Sequence, residues 1–153
     1  MCGAHFDSRV ASLREVPSLQ PVRALEVRRA HLRSLSTCGD VNQRRRGLLE
    51  DCLAAAKEPP GLFTLTAPTG SGKTLSSLAF ALQHAIDFNS SLPEADVRRF
   101  RRVIVVIPFT SIIEQTAGVY RSLFEAEFGS DYVLEHHSAV APGSSMDYSA
   151  LSR

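Results

Sequence analysis

Eight consecutive residues, Ala67, Pro68, Thr69, Gly70, Ser71, Gly72, Lys73 and Thr74, have the types and spacing of a phosphate-binding loop: a small residue, four positions, then Gly-Lys-Thr. Gly70 and Gly72 carry no side chain, so the backbone can close around phosphate oxygens. Successive N–H groups then face the anion, and the helix that follows adds its positive N-terminal end. Lys73 is placed to reach the β- and γ-phosphates of ATP. The Thr74 hydroxyl is placed to ligate the Mg2+ that the nucleotide carries. Lys73 and Thr74 are therefore the catalytic candidates, and Ala67 to Thr74 the candidate cofactor site. Thr69 and Ser71 complete the curvature rather than the chemistry.

Such a loop needs a strand before it and a helix behind it. Leu62-Phe63-Thr64-Leu65-Thr66 is rich in β-favouring residues and follows Glu58-Pro59-Pro60-Gly61, which stops any helix. Leu75, Leu78, Ala79, Leu82 and Ile86 recur at helical spacing. Val103-Ile104-Val105-Val106-Ile107 is continuously apolar, as for a strand buried on both faces of a parallel sheet, and Pro108 ends it. A helix follows over 111–128, with Ile112, Ile113, Ala117, Tyr120 and Phe124 on one side, and residues 132–135 read as a third strand. Upstream, 23–36 and 41–57 read as helices, the second striped by Leu48, Leu49, Cys52, Leu53 and Ala56. Residues 1–22 hold Pro17 and Pro21 and read as a tail or linker. The alternation of strand and helix predicts an α/β fold, a parallel sheet flanked by helices with a helical N-terminal lead-in. No internal repeat is visible.

Composition excludes more than it assigns. At 153 residues and 44% hydrophobic, the chain suits one globular domain. No apolar run reaches the roughly eighteen residues a membrane helix needs, and the N-terminus has no secretory pattern. Cys2, Cys38 and Cys52 fit no zinc or redox spacing, which suggests a reduced, cytoplasmic chain. The net charge of +1 argues for no partner. The arginines are nonetheless clustered, in residues 1–46 and again at Arg98, Arg99, Arg101 and Arg102. Each cluster is open to two readings, a phosphate contact or a solvated face.

The Ala-Pro-Thr-Gly opening of the loop is similar to superfamily-two helicases. The runs GLFTLTAPTGSGKTLSSLAFALQHA, RVIVVIPFTSIIEQTA and VLEHHS, with VNQRRRGLLEDC before them, resemble the helicase region of the CRISPR-associated helicase/nuclease of type I systems, subtype C being the one suggested. The likeness covers about residues 42–138. It implies a RecA-like P-loop NTPase fold, of which residues 41–153 would be part of the first ATP-binding lobe and residues 1–40 a lead-in. It also implies ATP-driven movement along single-stranded DNA, recruitment by a guide-RNA surveillance complex, and degradation of foreign DNA by a nuclease domain.

On the same resemblance, Pro108, Thr110, Ser111 and Gln115 match the block that holds the DNA backbone. Hydroxyls and free N–H groups at a helix N-terminus suit a phosphate. Ser111 and Glu114 also have the spacing of a capping box, in which the hydroxyl serves the helix itself. Asn42 and Arg45 are candidates to lie near the adenine, or to be plain helix surface. His136 and His137 make no metal site, because neighbours on a strand point to opposite faces.

The family's second essential block, a strand ending in Asp-Glu, has no counterpart after Lys73. No His-Asp dipeptide of a nuclease is present either. The sequence thus reads as a piece of a larger enzyme that holds ATP but lacks the groups to split it. A restriction-enzyme motor subunit and a non-catalytic nucleotide- or DNA-binding module remain as alternatives.

Overall fold

Apolar residues spaced three and four apart build the centre of the molecule. In the computed structural model, which describes residues 18–34 and 39–136, four α-helices are present: α1 (Pro21–Ser34), α2 (Asp40–Ala55), α3 (Lys73–Ser90) and α4 (Thr110–Phe128). The N-terminal tail, Cys2, Cys38, His137 and the small polar stretch from Ala139 lie outside the described residues. α3 packs against both α1 and α2, and α4 packs against α1. The core joins Ala24 and Leu25 of α1, Leu78, Ala79 and Leu82 of α3, and Tyr120, Leu123 and Phe124 of α4. Leu78, Ala79, Leu82, Tyr120 and Phe124 are positions the helical periodicity selects, and Ala24, Leu25 and Leu123 join them in the core.

The helix ends follow local chemistry. α2 gives way to a turn before Pro59 and Pro60, which cannot continue it. At the end of α3, Arg99 Nη1 donates to the carbonyls of Asn89 and Leu92, at 3.1 and 2.9 Å. A cation on C-terminal carbonyls also opposes the negative end of the helix dipole. The buried Asn89 side chain pins the returning chain: its Nδ2 donates to Phe100 O at 3.0 Å, and Phe100 N donates to its Oδ1 at 2.8 Å. Gly129, at φ 84°, ends α4 in a conformation that disfavours any side chain.

The expected parallel sheet flanked by helices is corrected here. No strand occurs among the described residues, and the described fold is helical. Residues 62–66 and 101–107 carry no ladder of backbone hydrogen bonds. One bond reaches the second segment, from Leu19 N to Arg101 O at 3.2 Å. Ile104 and Val106 are 81% and 88% exposed, so the segment expected to be buried on both faces is not. Residues 132–135 begin inside a short 3-10 turn, Ser130–Tyr132. The physical reason is that β-branched composition favours an extended chain, but a strand also needs a neighbour to take its N–H and C=O groups. Side chains hold the extended segments instead. Phe63 meets Phe80 edge-on at 4.9 Å, and the rings of Phe80, His84, Phe100 and Phe88 stack in succession. A cavity of about 500 Å3 lies between residues 101–107, residues 132–136 and the helices.

Candidate nucleotide-binding site

The loop begins at Ala67 and runs into the first turn of α3. Gly70 and Gly72 have φ of 80° and 87°, a left-handed conformation open to glycine at little cost. Gly72 is the N-cap of α3 and caps with its carbonyl, which accepts from Leu75 N at 3.2 Å and Ser76 N at 3.0 Å. No side chain caps this helix end.

The backbone of the loop is divided by polarity. The carbonyls of Ala67, Pro68, Gly70 and Gly72 are occupied. Lys73 Nζ donates to Ala67 O at 2.6 Å and to Pro68 O at 3.0 Å. Arg45, from α2, donates to Gly70 O through Nε at 3.1 Å and Nη2 at 3.0 Å. Just beyond, Tyr120 Oη donates to Thr74 O at 3.4 Å, and Arg28 Nε donates to Leu75 O at 2.8 Å. The N–H groups of Gly70, Gly72, Lys73 and Thr74 meet no backbone acceptor among the described residues. The hydroxyl of Ser71 is buried without a hydrogen-bond partner among the described residues. A buried hydroxyl without a partner is costly, and free N–H groups on consecutive loop residues beside it suit an anion. The residues present therefore fit a nucleotide phosphate chain. Thr74 is exposed at the same helix end, where a metal accompanying the nucleotide would be within its hydroxyl's chemistry.

Arg28 is 2% exposed, and its Nη1 has no hydrogen-bond partner among the described residues. Burial pushes its guanidinium below the usual arginine range. Burial also raises the phenol of Tyr120 and is the largest cause that raises the thiol of Cys52. Sequence reasoning missed Arg28 and Tyr120 as supports of the loop. The available signal for Arg28 was its place three and four residues after Leu25 and Ala24, on the buried stripe of α1.

Arg45 and Asn42 lie together, with Arg45 Nη1 donating to Asn42 Oδ1 at 3.4 Å. The structure puts Arg45 on the phosphate loop itself. Pro108, Thr110, Ser111 and Gln115 are all exposed at the start of α4. The N-cap of α4 is Phe109, with no side-chain cap, so Ser111 lies inside the helix and the capping-box alternative is not realised. The arginine knot is divided: Arg98 pairs with Asp96 at 2.7 Å, Arg99 caps α3, and Arg101 and Arg102 are exposed. No cluster of three or more His, Cys, Asp or Glu residues suited to a metal occurs among the described residues. No helix among them is long and apolar enough to cross a membrane.

A glycine-shaped loop leading into a helix is the arrangement that the phosphate-loop motif requires. The DEAD/DEAH box helicase family matches residues 49–148, and the chain belongs to that family. It is similar to the CRISPR-associated nuclease/helicase Cas3 of Haloferax volcanii, at 32% identity over 91 residues. That alignment covers 58% of this chain and 9% of the Haloferax protein, so the chain spans a small part of that relative. No solved structure matches.

Proposed function

We propose that this chain is the ATP-binding portion of an ATP-dependent DNA helicase acting in CRISPR defence. The observation that carries the reading is the polarity of the loop: carbonyls taken by cations and a hydroxyl, with N–H groups and the Ser71 hydroxyl left for an anion. ATP is held by residues 67–74, with Lys73 on the terminal phosphates and Thr74 on Mg2+. Single-stranded DNA runs over the start of α4, its backbone meeting Thr110, Ser111 and Gln115 beside Pro108. Exposed hydroxyls at an uncapped helix N-terminus support that contact. Family membership supports ATP use, and the likeness to the Haloferax nuclease/helicase supports a CRISPR setting with a guide-RNA complex as partner.

The test is calorimetric titration of the whole chain with Mg-ATP, beside Lys73→Ala. Losing one charge-assisted contact to a phosphate weakens binding by about 10- to 100-fold. Equal affinity in the two proteins would refute the assignment.

A further inference from the structure

We infer that Arg45 is a positioning residue of the phosphate loop, acting on the polyphosphate end of the ligand through the Gly70 carbonyl rather than on the base. The inference rests on the ATP reading of the loop and deepens it. Arg45 reaches out of α2, one turn beyond Asn42, and places two donors, Nε and Nη2, on one acceptor, Gly70 O. Its third nitrogen is held by Asn42 Oδ1, which orients the guanidinium plane. Its stem lies over Gly72: a Cβ built there would sit 3.6 Å from Arg45 Cγ. A residue reading adenine would need its donors free for the base, and here two of the three guanidinium nitrogens are committed to the loop.

The consequence follows from the planar peptide. The Gly70 carbonyl and the Ser71 N–H belong to one rigid unit and point in opposite directions. The carbonyl end is fixed by Arg45, and the N–H end faces Pro68 O at 3.3 Å. Rotation of this unit would break both contacts and turn the Gly70 oxygen, a partial negative charge, toward Pro68 O, opening the turn on which the N–H groups that follow depend. Gly70 has φ of 80°, and nothing lies within 4 Å of where a Cβ would stand, so it has no steric barrier of its own to that rotation. Arg45 supplies the restraint that glycine lacks.

The experiment titrates the full chain with ATP, with inorganic tripolyphosphate and with adenosine, comparing wild type with Arg45→Ala, Arg45→Lys and Arg44→Ala. Arg44 is the control, because it removes the same charge from the same helix but pairs with exposed Asp40 rather than with the loop. Arg45→Ala is expected to weaken ATP and tripolyphosphate by one common factor, about 10-fold. Arg45→Lys, which keeps one donor, recovers part of the loss, and Arg44→Ala changes neither. Three results would overturn the inference: ATP weakened with tripolyphosphate unchanged, which is a base contact; both unchanged; or an equal loss in Arg44→Ala, which is bulk electrostatics. If Arg45→Ala melts before titration, Arg45→Lys carries the comparison, and wild-type affinity there, with Arg44→Ala also unchanged, overturns it. A wild-type chain that binds neither ATP nor tripolyphosphate refutes the ATP reading itself. Loss of both in Lys73→Ala but not in Arg45→Ala leaves that reading intact and removes only the role of Arg45.

Discussion

Gly72→Ala separates backbone strain from crowding at the heart of the loop. Gly72 has φ of 87°, and an L-residue there costs roughly 1–2 kcal/mol. The new Cβ would lie 3.6 Å from Arg45 Cγ, an ordinary van der Waals distance, so steric overlap adds nothing. The whole penalty is therefore conformational. For a domain near this size each kcal/mol lowers Tm by about 2–4 °C, so the expected fall is roughly 2–8 °C. Asparagine tolerates the left-handed region better than alanine, so Gly72→Asn should lose less. Gly70→Ala, with φ of 80° and open space around it, should lose about as much as Gly72→Ala if strain alone decides. The assay is thermal unfolding by circular dichroism, with ATP titration on the same samples. Because both glycines shape the N–H array, ATP affinity should fall in each alanine variant. An unchanged Tm in Gly72→Ala, or an asparagine variant as unstable as the alanine one, would refute the strain argument.

Leu82 is 1% exposed in the shared core, so Leu82→Ala should cost about 2–5 kcal/mol in denaturant unfolding. Asn89→Ala leaves the Phe100 N–H and C=O without their partners and should cost about 2–4 kcal/mol, with Asn89→Asp recovering only the accepted bond. The Asp96 carboxyl is held down to about 2, first by side-chain bonds from Arg98 and then by the Arg98 N–H. A depressed carboxylate contributes stability that is present above its unfolded value, about 3.9, and lost as pH falls through about 2. Asp96→Asn should therefore flatten acid unfolding in that window, and carboxyl NMR should show Asp96 titrating near 2. Ile104 and Val106 are largely exposed beside other apolar residues, so Ile104→Lys with Val106→Lys should reduce self-association in light scattering without lowering Tm.

All four helices were legible in the sequence because each buries one stripe, and a stripe is a local pattern. Leu78, Ala79 and Leu82 show this for α3, and Ala117, Tyr120 and Phe124 for α4. The sheet was the part that periodicity could not decide. The run from Val103 to Ile107 states a preference for extended chain, whereas a ladder depends on what lies beside it, which no local pattern contains. The arginines show the same limit. Arg98 and Arg99 looked like a basic patch, yet their partners, Asp96 and the end of α3, make them turn and cap residues. Arg45 was read as a candidate near the adenine or as plain helix surface, and its partner is the Gly70 carbonyl.

Gly70, Gly72 and Lys73 stand at the start of α3 although no sheet carries them among the described residues, and the reason is geometric. A phosphate loop works by sorting its own backbone dipoles, and the sorting agents lie on helices. α1 contributes Arg28, α2 contributes Arg45, α3 contributes Lys73 and α4 contributes Tyr120, each donating to a carbonyl in or just after the loop. Three of the four donors are cations, so the same contacts that turn the carbonyls also raise the local positive potential. Removing Arg45 or Lys73 frees a loop carbonyl, Gly70 O or Ala67 O, to compete with the anion and subtracts from that potential. The two supports should therefore couple: the double variant Arg45→Ala with Lys73→Ala should lose more ATP affinity than the sum of the single losses, by about 1 kcal/mol. Strict additivity would mean that each carbonyl is held independently and that the loop does not act as one dipolar unit.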